Sequence, residues 1–130
     1  MGLSSRTNEA GIEQLRLFLE PFDYEVKAVK VDGCLHLKTA ATLVGPNVLL
    51  ANPDWADLGV FAGMEVLQVA PSEPMAGNAM LVGETVVYPM AHVETRKRLE
   101  ARGLDVVAVD QSEFAKAEGG VTCLSLLFSA

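Results

Sequence analysis

An internal repeat constrains this chain more than any other feature. Three glycine-led junctions, DGCLHLKTAATLVG, PMAGNAMLVG and EGGVTCLSLLF, each run into a β-rich apolar stretch. His36, Asn78 and Cys123 stand just after Gly33, Gly77 and Gly120, spaced 42 residues (36 to 78) and then 45 (78 to 123). A period in the forties marks a repeat architecture or a ring of modules, because one such unit cannot bury its apolar face alone. In each copy a helix leads to a strand, a loop follows, and the next strand turns back as a hairpin. Equivalent positions in a ring face a common axis. His36 and Cys123 are therefore expected to meet there, although 87 residues (36 to 123) separate them.

Local patterns support the repeat. Helical periodicity covers TNEAGIEQLRLFLEPF, with Ile12, Leu15, Leu19 and Phe22 on one face, Thr7 or Asn8 as its cap and Pro21 at its end. It covers the shorter NPDWADLGVFAGM, and VETRKRLEARG, which Gly103 closes. Strands are expected at 24–31, 41–45, 48–52, 65–70, 79–83, 85–89, 105–110 and 122–128. The GPN and GE turns join two pairs as hairpins. The expectation is one α/β domain over residues 1–130, three modules in an arc. GLSS reads as the closing strand of a hairpin, and LLFSA reads as a strand awaiting one. Such an arc leaves unpaired edges and an open inner face that calls for a partner.

Half of the residues are hydrophobic, enough for a core, and the net charge of −7 makes nucleic acid and anionic membrane poor partners. No apolar run reaches membrane-spanning length. Two cysteines, Cys34 and Cys123, with no apolar leader point to free thiols in a reducing cytoplasm. No phosphate loop, CxxC, HExxH or nucleophile-elbow serine is present, and no cofactor is expected. Cys34 and His36 alone do not make a metal site.

The candidate chemistry rests on few residues. Cys123 follows two glycines, which let the chain turn sharply before a strand that would hold the thiol. Its alternatives are a small buried hydrophobe or a nucleophile, and its repeat pairing with His36 favours the nucleophile. His36 has the near-neutral titration that proton transfer in both directions needs. Arg6, in SSRTN, is either solvated or a bidentate clamp for a carboxylate. Asn78 either bonds near the axis or closes a turn. Glu73 braces its loop, His92 begins an exposed helix and is solvated, Cys34 packs, Asp32 turns the chain, and Trp55 anchors a module interface.

GLSSRTNEAGIEQL, DGCLHLKTAATLVG, EPMAGNAMLVG and SEFAKAEGGVTCLSLLF resemble the C-terminal half of the dimethylarginine dimethylaminohydrolases. These belong to the pentein, or guanidine-modifying, superfamily. The resemblance runs over essentially the whole chain and is carried most specifically by LHLK and GGVTCLSL. It implies a five-module α/β propeller, of which about three modules are present and the N-terminal half is absent. It further implies Cys123 as nucleophile, His36 as general acid/base, Arg6 on the substrate α-carboxylate and the Ala117 main chain on the α-amino group. The carboxylates that grip the guanidinium would come from the missing half. The implied substrate is a methylated arginine or related guanidino compound, converted to citrulline and an amine. An arginine deiminase-like activity is the nearest alternative. A non-catalytic half-propeller that self-associates or pairs with a separate N-terminal half is another. A thiol protein holding zinc at Cys123 and His36 is a third, with too few ligands to close the shell.

Overall fold

The computed structural model describes residues 1–128. Three β–helix–β units follow one another. The first joins β1 (Gly2–Leu3) through α1 (Glu9–Leu19) to β2 (Val29–Lys30), and the two strands pair in parallel. The one-turn α2 (Leu37–Ala40) leads into the second unit. There β3 (Ala41–Gly45) turns back as antiparallel β4 (Val48–Ala51), and a 3₁₀ turn at Leu58–Phe61 returns the chain to β5 (Glu65–Gln68), parallel to β4. The third unit repeats this with β6 (Met80–Val82), antiparallel β7 (Thr85–Pro89), α3 (Val93–Ala101) and parallel β8 (Asp105–Val109). A last single turn, α4 (Ser112–Ala115), follows. The three sheets are separate, ordered β1-β2, β3-β4-β5 and β6-β7-β8.

Both hairpins form where the turn residues place them. Asn47 and Gly83 take the left-handed conformation, with φ of 61° and 60°, that tight two-strand turns demand. Asn8 caps α1, its Oδ1 accepting from the Gly11 N–H at 2.9 Å. Ile12 is buried and Leu15 and Leu19 are half-buried, but Phe22 is exposed, so the inward stripe is shorter than its spacing predicts.

Other expectations shrink. The helix at NPDWADLGVFAGM is a single 3₁₀ turn, bounded by Gly59 near its start and Gly63 beyond its end. The strand at 24–31 is reduced to Val29–Lys30. Leu37 and Lys38 of LHLK open α2. The strand at 122–128 is absent: residues 121–124 turn and 125–128 have no regular structure, leaving Leu126 84% and Phe128 82% exposed. A strand needs a neighbour to take its backbone bonds, and among the described residues none lies beside this segment.

The main core lies between the second and third units. Val44, Val48 and Leu50 meet Val86, Tyr88 and Leu99, with Ala76 and Ala79 filling the seam. Tyr88 is fully buried and its hydroxyl donates to the Ala76 carbonyl at 2.7 Å. Thr42 stitches the seam further: its Oγ1 donates to the Gly77 carbonyl (2.7 Å) and accepts from the Ala79 N–H (3.0 Å). At Gly77 the backbones come too close for a side chain. A Cβ there would sit 2.7 Å from the Thr39 carbonyl oxygen and 2.8 Å from that of Ala40. Gly77→Ala is expected to destabilise the fold by about 1–3 kcal/mol, the usual range for overpacking, read as a lower urea midpoint with unchanged slope.

Candidate active site

A cleft of about 830 Å³ opens where the loops of all three units meet. Arg6, His36, Ala117 and Cys123 all line it, as do Asn78 and Cys34. The structure thus brings together every residue singled out for chemistry.

Arg6 stands on a closed turn between β1 and α1. Ser4 and Thr7 exchange backbone hydrogen bonds at 3.2 and 3.3 Å. Ser4 Oγ accepts from the Arg6 N–H (3.2 Å) and donates to the Leu35 carbonyl (3.0 Å). One hydroxyl therefore fixes the Arg6 turn against the loop that carries His36. That loop bends at Gly33, whose φ of +78° and contact with the Trp55 ring, 2.6 Å from a Cβ position, admit no side chain. Trp55 packs there on a cluster with Val29, Ala40 and Ala56, an anchor between the first two units. His36 is extended and exposed, and its carbonyl begins α2 by accepting from the Thr39 N–H. The Cys34 thiol donates to the same carbonyl at 3.4 Å, and burial pushes its pKa up, as suits a packing residue.

Cys123 is exposed in a tight turn, its N–H donating to the Gly120 carbonyl at 3.0 Å. Val121, buried, anchors one side of that turn. Asn78 holds the other. Its Nδ2 donates to the Lys38 carbonyl and to Thr122 Oγ1, both at 2.8 Å, and its Oδ1 accepts from the Thr122 N–H at 3.2 Å. Of the two open choices for Asn78, the side chain takes the bonding one: it bridges the His36 and Cys123 elements. Gly120 makes room for it, since a Cβ there would lie 2.6 Å from Asn78 Oδ1. Ala117 follows α4 in a tight reversal in which Glu118 takes φ of 58°. Its carbonyl accepts no hydrogen bond among the described residues, so a ligand donor can use it.

Two further cleft residues were not recognisable as such in the sequence. His92, expected to be solvated, is half-buried and lines the cleft. Its ring lies against Tyr88, centroids 6.2 Å apart, and burial lowers its pKa while the Glu73 carboxylate opposes the shift. Glu73 does brace its loop: it accepts from the Glu94 and Thr95 N–H groups at 2.9 and 2.8 Å, capping α3. Burial alone would raise its pKa, but those N–H groups together lower it. Gln111 also lines the cleft, its buried Oε1 without a donor among the described residues. No group of three or more His, Cys, Asp or Glu suited to a metal ion occurs among the described residues. None of the described helices is long and apolar enough to cross a membrane.

No protein-family model matches the chain. The chain is 34% identical over 128 residues to the N(G),N(G)-dimethylarginine dimethylaminohydrolase of Pseudomonas aeruginosa, covering 98% of this chain and 50% of that protein. It is 36% identical over 127 residues to the enzyme of the same name from Streptomyces coelicolor, covering 97% of this chain and 48% of that one. A solved structure of the P. aeruginosa enzyme, a cysteine-to-serine variant complexed with citrulline, superimposes with a TM-score of 0.86 at 32% identity, over 98% of this chain and 50% of that one. The chain thus spans about half the length of the curated relatives it matches. Its α/β fold is that of the pentein, or guanidine-modifying, superfamily. Over the half that it spans, the chain is dimethylarginine dimethylaminohydrolase-like in sequence and fold.

Because Asn78 ties two loops of the cleft, Asn78→Ala is expected to destabilise the protein by about 1–3 kcal/mol through the polar groups it leaves unpaired. Hydrogen exchange should show faster exchange at 120–124 than in the β3–β4 hairpin.

Proposed function

We propose that this chain is the nucleophile-bearing part of an amidine hydrolase, about three of the five modules of a pentein propeller, acting on N-methylated arginine. The observation that carries the proposal is that Arg6, His36, Ala117 and Cys123, from three separate segments, line one cleft. A relative of the same fold is known in complex with citrulline, the product this chemistry would leave.

In this mechanism the Cys123 thiolate attacks the guanidinium carbon. The tetrahedral adduct collapses as His36 gives its proton to the departing amine, leaving a thiouronium on the cysteine. His36 then takes a proton from water, which attacks the same carbon, and citrulline leaves with the thiolate restored. Two moderate barriers replace one high one. Arg6 holds the α-carboxylate through its fork of donors, and the free Ala117 carbonyl receives the α-ammonium. A guanidinium is resonance-stabilised, and fixed carboxylates beside it would lower the barrier. In this scheme they come from a separate N-terminal half, which the chain binds across its open face.

One observation favours a second reading, a module that works by association. Leu124, Leu126, Leu127 and Phe128 present a run of exposed apolar side chains. Light scattering at two concentrations separates the cases, since a strictly monomeric folded chain would remove the support for association.

The test is citrulline release from methylated arginine and from arginine, by the purified chain with and without an N-terminal half. Release on complementation is expected, falling by at least about three orders of magnitude in Cys123→Ser. Normal turnover by that variant would end the role of Cys123. Silence under both conditions from a folded chain would favour the association module.

A further inference from the structure

The repeat that aligns His36 with Cys123 aligns a second set of positions. In each unit the chain leaves the strand that precedes its helix or 3₁₀ turn (β1, β4 or β7) and, three residues later, reaches Arg6, Asp54 or His92, counting from Leu3, Ala51 and Pro89. Of these, Arg6 and His92 both line the cleft. His92 is thus the counterpart in the third unit of the residue that anchors a carboxylate in the first, and the mechanism above leaves it unused.

The loop holds His92 in place. Its N–H donates to the Pro89 carbonyl (3.4 Å), and its carbonyl accepts from the Arg96 N–H (3.0 Å) at the start of α3. The Met90 N–H bonds the Val109 carbonyl (2.9 Å), so this loop runs beside the one carrying Asp110 and Gln111. Glu73, from the loop after β5, and Tyr88, on β7, face His92 from the protein side. Asp110 and Glu118 line the cleft with it, as do Arg6, His36 and the two thiols. On α3 itself, Glu94 is paired with Lys97 at 2.8 Å.

We propose that His92 is a specificity-determining residue of this cleft, discriminating ligands by charge. Neutral, it admits a ligand with a cationic guanidino group. Protonated, it disfavours that cation while still admitting a ligand whose distal group is an uncharged ureido. This rests on the proposed guanidino substrate. It adds a residue and a criterion that the catalytic scheme does not contain. The geometry suits it: a half-buried imidazole in a narrow cleft exerts its charge through little water. Because burial outweighs the Glu73 carboxylate and lowers its pKa, His92 is neutral at pH 7 and charges only as the pH falls below the ordinary histidine range.

The experiment titrates the full 130-residue chain with N,N-dimethylarginine and with citrulline at pH 8 and pH 5 by calorimetry. In the wild type, the affinity ratio of dimethylarginine to citrulline should fall about tenfold on acidification, the scale of one like charge at intermediate dielectric. In His92→Gln the ratio should hold steady, and in His92→Lys it should be low at both values. Thermal melts of both variants, matched to wild type, establish that they fold. The other groups lining the cleft are common to all three proteins, so their contribution cancels in the comparison. A fall in His92→Gln equal to that of the wild type would overturn the charge role while leaving the guanidino substrate intact. Failure of the wild-type chain to bind either ligand at either pH, with an N-terminal half added as well as without it, would overturn the substrate proposal, and this one with it.

Discussion

The side chain of Asn78 joins the parts of the cleft that matter. It is nearly fully buried, at 6% exposure, and its amide links the Lys38 carbonyl after His36 to the Thr122 backbone and hydroxyl before Cys123. Burying an amide is unfavourable unless its donors and acceptor are matched, and here both ends of the group are used. The two glycines that flank this bridge have the same logic. Gly77 lets the third unit approach the backbone of Thr39 and Ala40, and Gly120 leaves the space that Asn78 fills. The roles proposed for Cys123 and His36 require a fixed relation between distant parts of the chain, and a short hydrogen-bonded bridge between the segments that carry them supplies one.

The three repeat-equivalent positions after the glycines have diverged into three tasks. His36 and Cys123 are exposed and line the cleft, whereas Asn78 is buried and braces its wall. The positions three residues beyond β1, β4 and β7 divide likewise. Arg6 and His92 line the cleft, while Asp54 does not. A repeat supplies equivalent vantage points on one axis, and residue choice at each decides whether that point binds, reacts or braces.

Much of this was legible before any coordinates. The strands β3, β4, β6, β7 and β8 fall where alternation and hairpin turns place them, because both signals are local. That His36 and Cys123 line one cleft accords with the repeat register, a long-range inference that composition alone cannot supply. What escaped has a common cause. The expected strand at 122–128 depends on a neighbouring strand, and its apolar spacing says nothing about whether one is present. His92 looks like the first residue of a solvated helix, yet the helix start abuts the cleft and Tyr88, a contact set by the third dimension. Gln111 gives no sequence signal at all, since a glutamine after a strand is ordinary loop chemistry.

The charge arrangement of the cleft limits what can bind there. Arg6 is its permanent cation, and Asp110 and Glu118 bring carboxylates. The Asp110 carboxyl is held below its ordinary pKa by the Ser112 N–H, then by the Ser112 hydroxyl, so it stays ionised through the physiological range. A purely anionic ligand would meet two like charges, and a purely cationic one would leave the Arg6 guanidinium unanswered. A zwitterion with a carboxylate at one end and positive charge elsewhere matches both signs. That condition comes from electrostatics alone, without the catalytic pair. The guanidino amino acid proposed as substrate satisfies it, as one member of that wider class of zwitterions.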